Sequence, residues 1–207
     1  MFRGQPPAGR RWETAGVEFD AVVLAGGGSV RFGGVDKAMV VLEGVSLLDR
    51  VLMATADAVS TVVVGAVRTT YREVAWTVEE PPAGGPVAGL AAGLEYGVAP
   101  VVVVVSCDLP WITRTDITTL VKRLDEPDEP HERGEVRQLD GFGLRDKGGR
   151  EQWLAAAYRR GSLVEAVRRV GDPRDKSVRR TLAGLELAWT APTQAGNDVD
   201  TWSDLDT

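Results

Sequence analysis

The sequence predicts an α/β fold built on a largely parallel sheet, and three observations carry that expectation. From residue 20 onward, short β-branched runs alternate with segments of helical periodicity. Several of those runs are apolar at every position, as strands covered on both faces require. The first of them leads into a glycine-rich loop, "GGGSVRFGG" at 26–34, which lets backbone amides approach a ligand closely.

Each element has its own signal. "AVVLA" (21–25) is the first strand. "SLLDRVLMATADAV" (46–59) repeats apolar residues at helical spacing, with Ser46 as N-cap and Asp49 in the capping-box position. "TVVVGA" (61–66), "VAWTV" (74–78) and "PVVVVVS" (100–106) are further strands. "GPVAGLAAGLEYG" (85–97) starts on a proline suited to a first helical turn and ends on a glycine suited to a C-cap. The acidic, proline-bearing stretch 125–134 predicts a loop. Strands follow at 136–144 and 153–158, helices at 162–170 and 176–184, a strand at 185–190 and a last helical turn at 201–205.

Composition excludes several classes. The 207 residues are 43% hydrophobic, enough for an ordinary globular core, and the formal charge of -6 argues against a broad nucleic-acid-binding face. Cys107 is the single cysteine, so an intramolecular disulfide and a four-cysteine zinc site are both excluded. The amino-terminal residues contain no apolar run of signal-peptide length, and "VVVVV" (101–105) is too short to span a bilayer. These features predict a cytoplasmic protein without membrane partners. The single histidine, His131, lies in the polar loop, which disfavours any mechanism needing a histidine base.

The opening loop is neither a Walker A loop nor G-x-G-x-x-G, because Arg31 stands where the third glycine would be. Two cations, Arg31 and Lys37, on a loop with little side-chain cover suit a polyphosphate. Asp108 follows the most hydrophobic strand, where open α/β sheets place ligands, and could hold Mg²⁺ or cap the next helix. Asp198 and Asp200 alternate along "NDVDT" and would share a face; Asp200 suits either a metal or a helix cap. Glu79 and Glu80 precede "PPAGGP", and either carboxylate could accept from the N1 and N2 donors of guanine.

"LAGGGSVRFGGVDK" (24–37) resembles the signature of MobA-type molybdenum cofactor guanylyltransferases, with Phe32 where methionine is usual. The resemblance continues through "GGPVAGLAAGL" (84–94), "VSCDLPWIT" (105–113), "REQWLAAAYRR" (150–160) and "NDVDTWSDL" (197–205), in the family's order. It implies a three-layer α/β/α Rossmann-like nucleotidyltransferase fold over residues 19–207, after a flexible extension at 1–18. It further implies transfer of GMP from GTP to the phosphate of molybdopterin or Mo-molybdopterin, with pyrophosphate released. The alternatives are CTP or another phosphorylated acceptor on the same fold, and a non-catalytic nucleotide-binding adaptor. Arg31, Lys37 and Asp108 are then the expected catalytic residues. Leu24, Ala25, Gly26, Gly27, Gly28, Ser29, Arg31, Lys37, Glu79 or Glu80, Gly85 and Pro86 are expected at the nucleotide. Asp108 and Asp200 are expected at Mg²⁺, with Mn²⁺ as the alternative ion. Trp153, Tyr158 and Asp198 are expected near the acceptor, although Trp153 replaces the family's proline. Expected partners are GTP, the pterin, and transiently molybdoenzyme apoproteins or cofactor-synthesis proteins.

Overall fold

A hydrophobic seven-stranded sheet forms the centre of the computed structural model, which describes residues 17–26, 35–80, 82–126, 138–199, 201, 203 and 204. In chain order the elements are β1 (Phe19–Leu24), β2 (Val41–Leu42), β3 (Val45–Ser46), α1 (Leu47–Ala54), β4 (Thr61–Val64), β5 (Ala75–Thr77) and α2 (Pro86–Leu94). There follow β6 (Val101–Ser106), α3 (Arg114–Asp125), β7 (Gly141–Arg145), β8 (Glu151–Arg159), α4 (Arg160–Arg169), α5 (Val178–Leu182) and β9 (Leu187–Pro192). The sheet order is β5-β4-β1-β6-β8-β7-β9. All strands run one way except β8, which pairs antiparallel with both β6 and β7. The cause is local: a short turn at 146–150, held by Arg150 N donating to Asp146 Oδ1 at 2.8 Å, joins β7 to β8. A turn of that length permits only an antiparallel hairpin.

The all-apolar strands are covered on both faces as expected. Val22, Leu24, Val62, Val64, Val102 and Val104 pack under α2, α4 and α5, through Leu90, Leu163 and Leu182 among others. Val23, Val63, Val103 and Val105 point the other way, against Leu48, Val51 and Leu52 of α1 and Ile117, Leu120 and Leu124 of α3. These are the three α/β/α layers. Helix α2 approaches closely because it carries glycine on its inner face: a Cβ on Gly93 would collide with Val22 and stand 3.1 Å from Val64 Cγ2.

Several boundaries differ from the sequence reading. Helix α1 stops at Ala54, where the Thr55 hydroxyl turns back to the carbonyls of Val51 and Leu52, and Val59 N donates to the Phe19 carbonyl at 2.8 Å. Helix α2 stops at Leu94, so that the segment beyond it can turn through Gly97 (φ +72°) and bring Ala99 N onto Asp20. Helix α4 starts directly out of β8, and the strand expected at 136–144 occupies Gly141–Arg145, with 136 and 137 outside the described residues. Helix α3, which the sequence reading expects after Asp108 without giving it bounds, is capped not by Asp108 but by Thr113, whose side chain forms a reciprocal capping box with Asp116. The β2–β3 hairpin was missed; its turn residues Glu43 (φ +52°) and Gly44 (φ +84°) both adopt the left-handed region, as tight hairpin turns demand.

No helix among the described residues is long and apolar enough to cross a membrane.

Candidate active site

Strand order reverses between β1 and β6: from β1 the chain proceeds to β4 on one side, and β6 lies on the other. In open α/β sheets the crevice beyond the carboxyl ends at such a point receives ligands. The two strand ends are stitched together there by Cys107 N donating to the Leu24 carbonyl at 2.9 Å. A cavity of about 410 Å³ opens beside them, lined by Leu24, Gly26, Glu79, Gly85, Pro86 and Leu154 among others. That volume suits one nucleoside-sized ligand.

Lys37 and Asp108, 71 residues apart in sequence, meet across this end of the sheet. Lys37 Nζ lies 3.0 Å from Asp108 Oδ2, and the two side chains are 21% and 23% exposed, so both remain open to a ligand. Lys37 opens a 3-10 turn, Lys37–Met39, whose N-cap is Asp36: its Oδ1 accepts from Ala38 N at 3.2 Å. Asp108 follows β6, and its carbonyl accepts from Val199 N at 3.0 Å, which lays the carboxyl-terminal segment beside it. Val199 is fully buried with Val40 and Leu47, so that segment is anchored by packing too.

Glu79 and Glu80 are separated by the structure. Glu79 lines the cavity, with its carboxylate oxygens 3.7 and 3.8 Å from where a Gly26 Cβ would stand. Glu80 is exposed and outside the lining. Ala25 also stands apart from the lining: its amide donates to the Val64 carbonyl at 2.9 Å and its side chain joins the opposite face of the core. Gly27, Gly28, Ser29, Arg31 and Asp200 lie outside the described residues.

The residues expected near the acceptor scatter. Tyr158 is fully buried, and its hydroxyl donates to the Trp153 carbonyl at 2.7 Å. Its ring fills space that Gly141 leaves free, since a Cβ there would stand 2.7 Å from Tyr158 Cδ1. The expectation for Tyr158 is corrected on that ground: it is a core residue with its one polar group already satisfied. Trp153 packs edge-to-face on Trp189, ring centroids 5.1 Å apart, and lines neither this cavity nor the next; its neighbour Leu154 reaches the nucleoside-sized cavity instead. Asp198 lies in a second cavity of about 280 Å³ with Trp111, Asp146, Lys147, Gly148, Asn197 and Asp204. Asn197 Oδ1 accepts from Lys147 N at 2.9 Å, joining the β7–β8 turn to the carboxyl-terminal segment. Lys147 and Arg68 carry no sequence signal because each comes from a loop without a ligand-binding motif, whereas Leu154 lies within the 150–160 element whose flanking Trp153 and Tyr158 the sequence reading favours instead.

Cys107 sits between β6 and Asp108 and is buried. Burial first, and then the neighbouring Asp108 carboxylate, push its thiol up to about 12. At pH 8 the thiolate fraction of such a group is on the order of 10⁻⁴, so it packs and does not attack. Native protein at pH 8 should resist iodoacetamide while protein unfolded in guanidinium is alkylated fully; native labelling at the rate of a free thiol would contradict this environment.

The sequence model of the family described as MobA-like NTP transferase domain matches residues 21–189. The molybdenum cofactor guanylyltransferase of Methylibium petroleiphilum is 34% identical over 112 residues, 52% of this chain and 55% of that protein. The chain therefore spans just over half the length of that relative. A probable molybdenum cofactor guanylyltransferase of Natronomonas pharaonis is 29% identical over 181 residues, 82% of each chain. Among solved structures, molybdopterin-guanine dinucleotide biosynthesis protein A from Archaeoglobus fulgidus superposes with a TM-score of 0.65 at 20% identity, over 90% of this chain and 95% of that one. At that identity the likeness speaks for the fold.

Proposed function

The chain belongs to the MobA-like NTP transferase domain family, and from that membership we propose that it transfers GMP from GTP to the phosphate of molybdopterin, loaded or not with molybdenum. The observation that carries this reading is the meeting of Lys37 and Asp108 at the switch point beside a nucleoside-sized cavity that Glu79 enters. The relatives named above support the choice of nucleotide and acceptor.

The reaction needs no general base. A phosphate monoester is already anionic at neutral pH; its oxygen attacks the α-phosphorus of GTP, the bond to the β-phosphate oxygen breaks, and pyrophosphate leaves. The chain's task is to hold two anions in line and neutralise the charge that shifts onto the leaving group. The Lys37 ammonium, which the turn capped by Asp36 presents at the strand ends, would follow the triphosphate, with Arg31 as the second cation. Glu79 would accept from N1–H and the N2 amino group of guanine, a donor pair that cytosine and uracil lack. The second cavity, with Asp198 and Asn197, is the proposed acceptor side.

The donor set at Asp108 fits Mg²⁺. It is one hard, partly exposed carboxylate just past the carboxyl end of β6, where the triphosphate would lie. Mg²⁺ is held in this way by one or two carboxylates together with substrate phosphates and water. Asp108 would hold it with Asp200, Mn²⁺ being the alternative ion; when bound it neutralises phosphate charge. A cytoplasmic location is part of this reading, and the single, buried Cys107 is compatible with such a reducing compartment.

The test is mass spectrometry of the pterin products after incubation with molybdate-loaded molybdopterin, Mg²⁺ and either GTP or CTP. A guanine dinucleotide formed with GTP alone is the expected result. Tight binding of MgGTP with no dinucleotide from either nucleotide would overturn the choice of acceptor, and a cytosine dinucleotide would overturn the choice of base.

A further inference from the structure

Arg68 lies in the loop between β4 and β5, in a stretch without a recognised ligand-binding motif, yet its side chain is only 14% exposed. Its guanidinium grips Asp36 through two bonds: Nε donates to Oδ2 at 2.5 Å and Nη2 donates to Oδ1 at 3.1 Å. The remaining nitrogen, Nη1, donates to the Ala66 carbonyl at 2.9 Å, which ties the guanidinium to its own loop. That loop is in turn held by Gly65, whose φ of +151° no side chain adopts comfortably and whose amide donates to the Thr77 carbonyl at 2.8 Å. A Cβ at Gly65 would stand 2.8 Å from the Ala25 carbonyl oxygen and 3.2 Å from Arg68 Nη1. The backbone is therefore shaped to admit this arginine.

What Arg68 holds is informative. Asp36 is the N-cap of the turn that begins at Lys37, and Lys37 reaches Asp108. A continuous chain of contacts thus runs from the end of β4, through Arg68 and Asp36, to the ammonium group at the strand ends. Asp36 spends one oxygen on both the cap and Arg68, and the other on Arg68 alone. A planar two-pronged grip fixes the orientation of a carboxylate in a way that a single point charge does not.

We propose that Arg68 is a positioning residue: by clamping Asp36 it orients the Lys37 turn, and so places the Lys37 ammonium for phosphoryl chemistry without itself touching the nucleotide. This rests on the nucleotidyltransferase reading above only for its catalytic consequence; the clamp itself is readable without turnover.

The test combines Arg68→Ala, Arg68→Lys, Asp36→Ala and the double variant Arg68→Ala/Asp36→Ala, in the full chain. Hydrogen exchange of the peptide covering 35–42 reads the clamp directly. Faster exchange in Arg68→Ala, with the β1 and β6 peptides unchanged, is expected, and unchanged exchange at 35–42 overturns the proposal. In turnover, Arg68→Ala should lower kcat by about 10- to 100-fold, in line with the cost of small misplacements, while the Kd for MgGTP changes less than about threefold. Arg68→Lys, which keeps the charge and loses the fork, should recover only part of kcat. The double variant should be no slower than Asp36→Ala alone, because Arg68 acts through Asp36. Multiplying losses in the double variant, or a Kd that weakens as much as kcat falls, would overturn the proposal and make Arg68 a direct ligand of the nucleotide. If the wild-type protein forms no guanine dinucleotide while exchange at 35–42 still responds to Arg68→Ala, the functional reading fails and the clamp stands.

Discussion

Replacing Lys37 with alanine should lower turnover by about 10²–10³-fold while weakening MgGTP binding by less than about tenfold. The reasoning is that charge on the leaving pyrophosphate grows during the reaction, so a cation placed for it contributes more to the transition state than to the ground state. Lys37 is suited to this because it is held from two sides, by the capped turn that begins with it and by Asp108 at 3.0 Å, before any substrate arrives. Single-turnover rates at saturating GTP, set beside Kd values from calorimetry, separate the two effects. Equal losses in rate and binding would mean that Lys37 is a uniform binding contact, and the mechanism proposed for it would fail.

The second large effect lies at the opposite end of the sheet. Asp20, the second residue of β1, is 2% exposed and accepts three hydrogen bonds: from Ser60 Oγ at 2.6 Å, Ala99 N at 2.7 Å and Arg160 Nη2 at 2.6 Å. Arg160 in turn donates through Nε to the Ala99 carbonyl at 2.7 Å. The cluster joins β1, the segment leading into β4, the segment between α2 and β6, and the start of α4. Gly97 makes room for it, since a Cβ there would collide with the Asp20 carboxylate. Asp20→Ala removes the acceptor and leaves a partly buried guanidinium and a buried amide without it, so a loss of about 3–5 kcal/mol is expected. Denaturant midpoints with unchanged m-values would measure it. Because the cluster sits at the amino end of β1 and the candidate site at its carboxyl end, kcat of the folded variant at low temperature should match the wild type. A stability loss under about 1 kcal/mol would show that water takes over these contacts.

These two sites differ in how visible they were in the sequence. Lys37 and Asp108 stood out because their local surroundings are chemically unusual: a cation closing a glycine-rich loop and a carboxylate at the end of five consecutive valines. Asp20 and Arg160 are separated by 140 residues and carry no local mark. The same holds for Arg68, whose partner Asp36 lies 32 residues before it on another loop. The bounds of helix α3 show the opposite failure. Its capping box is local, but its mean polarity is high, with a narrow apolar stripe of Ile117, Leu120, Val121 and Leu124 that only the sheet behind it makes decisive.

By itself the sequence determined the α/β class, the doubly covered strands β1, β4 and β6, and the lysine and strand-end aspartate that meet in the candidate site. Those features depend on periodicity and residue type within a few positions, and local backbone physics expresses them directly. Tertiary structure alone decided that Glu79 and not Glu80 enters the cavity, that Tyr158 belongs to the core, and that Trp153 packs edge-to-face on Trp189. It also decided that Arg68 clamps the turn carrying Lys37. Each of these depends on which side chain faces which neighbour across strands and loops distant in sequence, and a change of register or loop path by one residue would reverse the outcome.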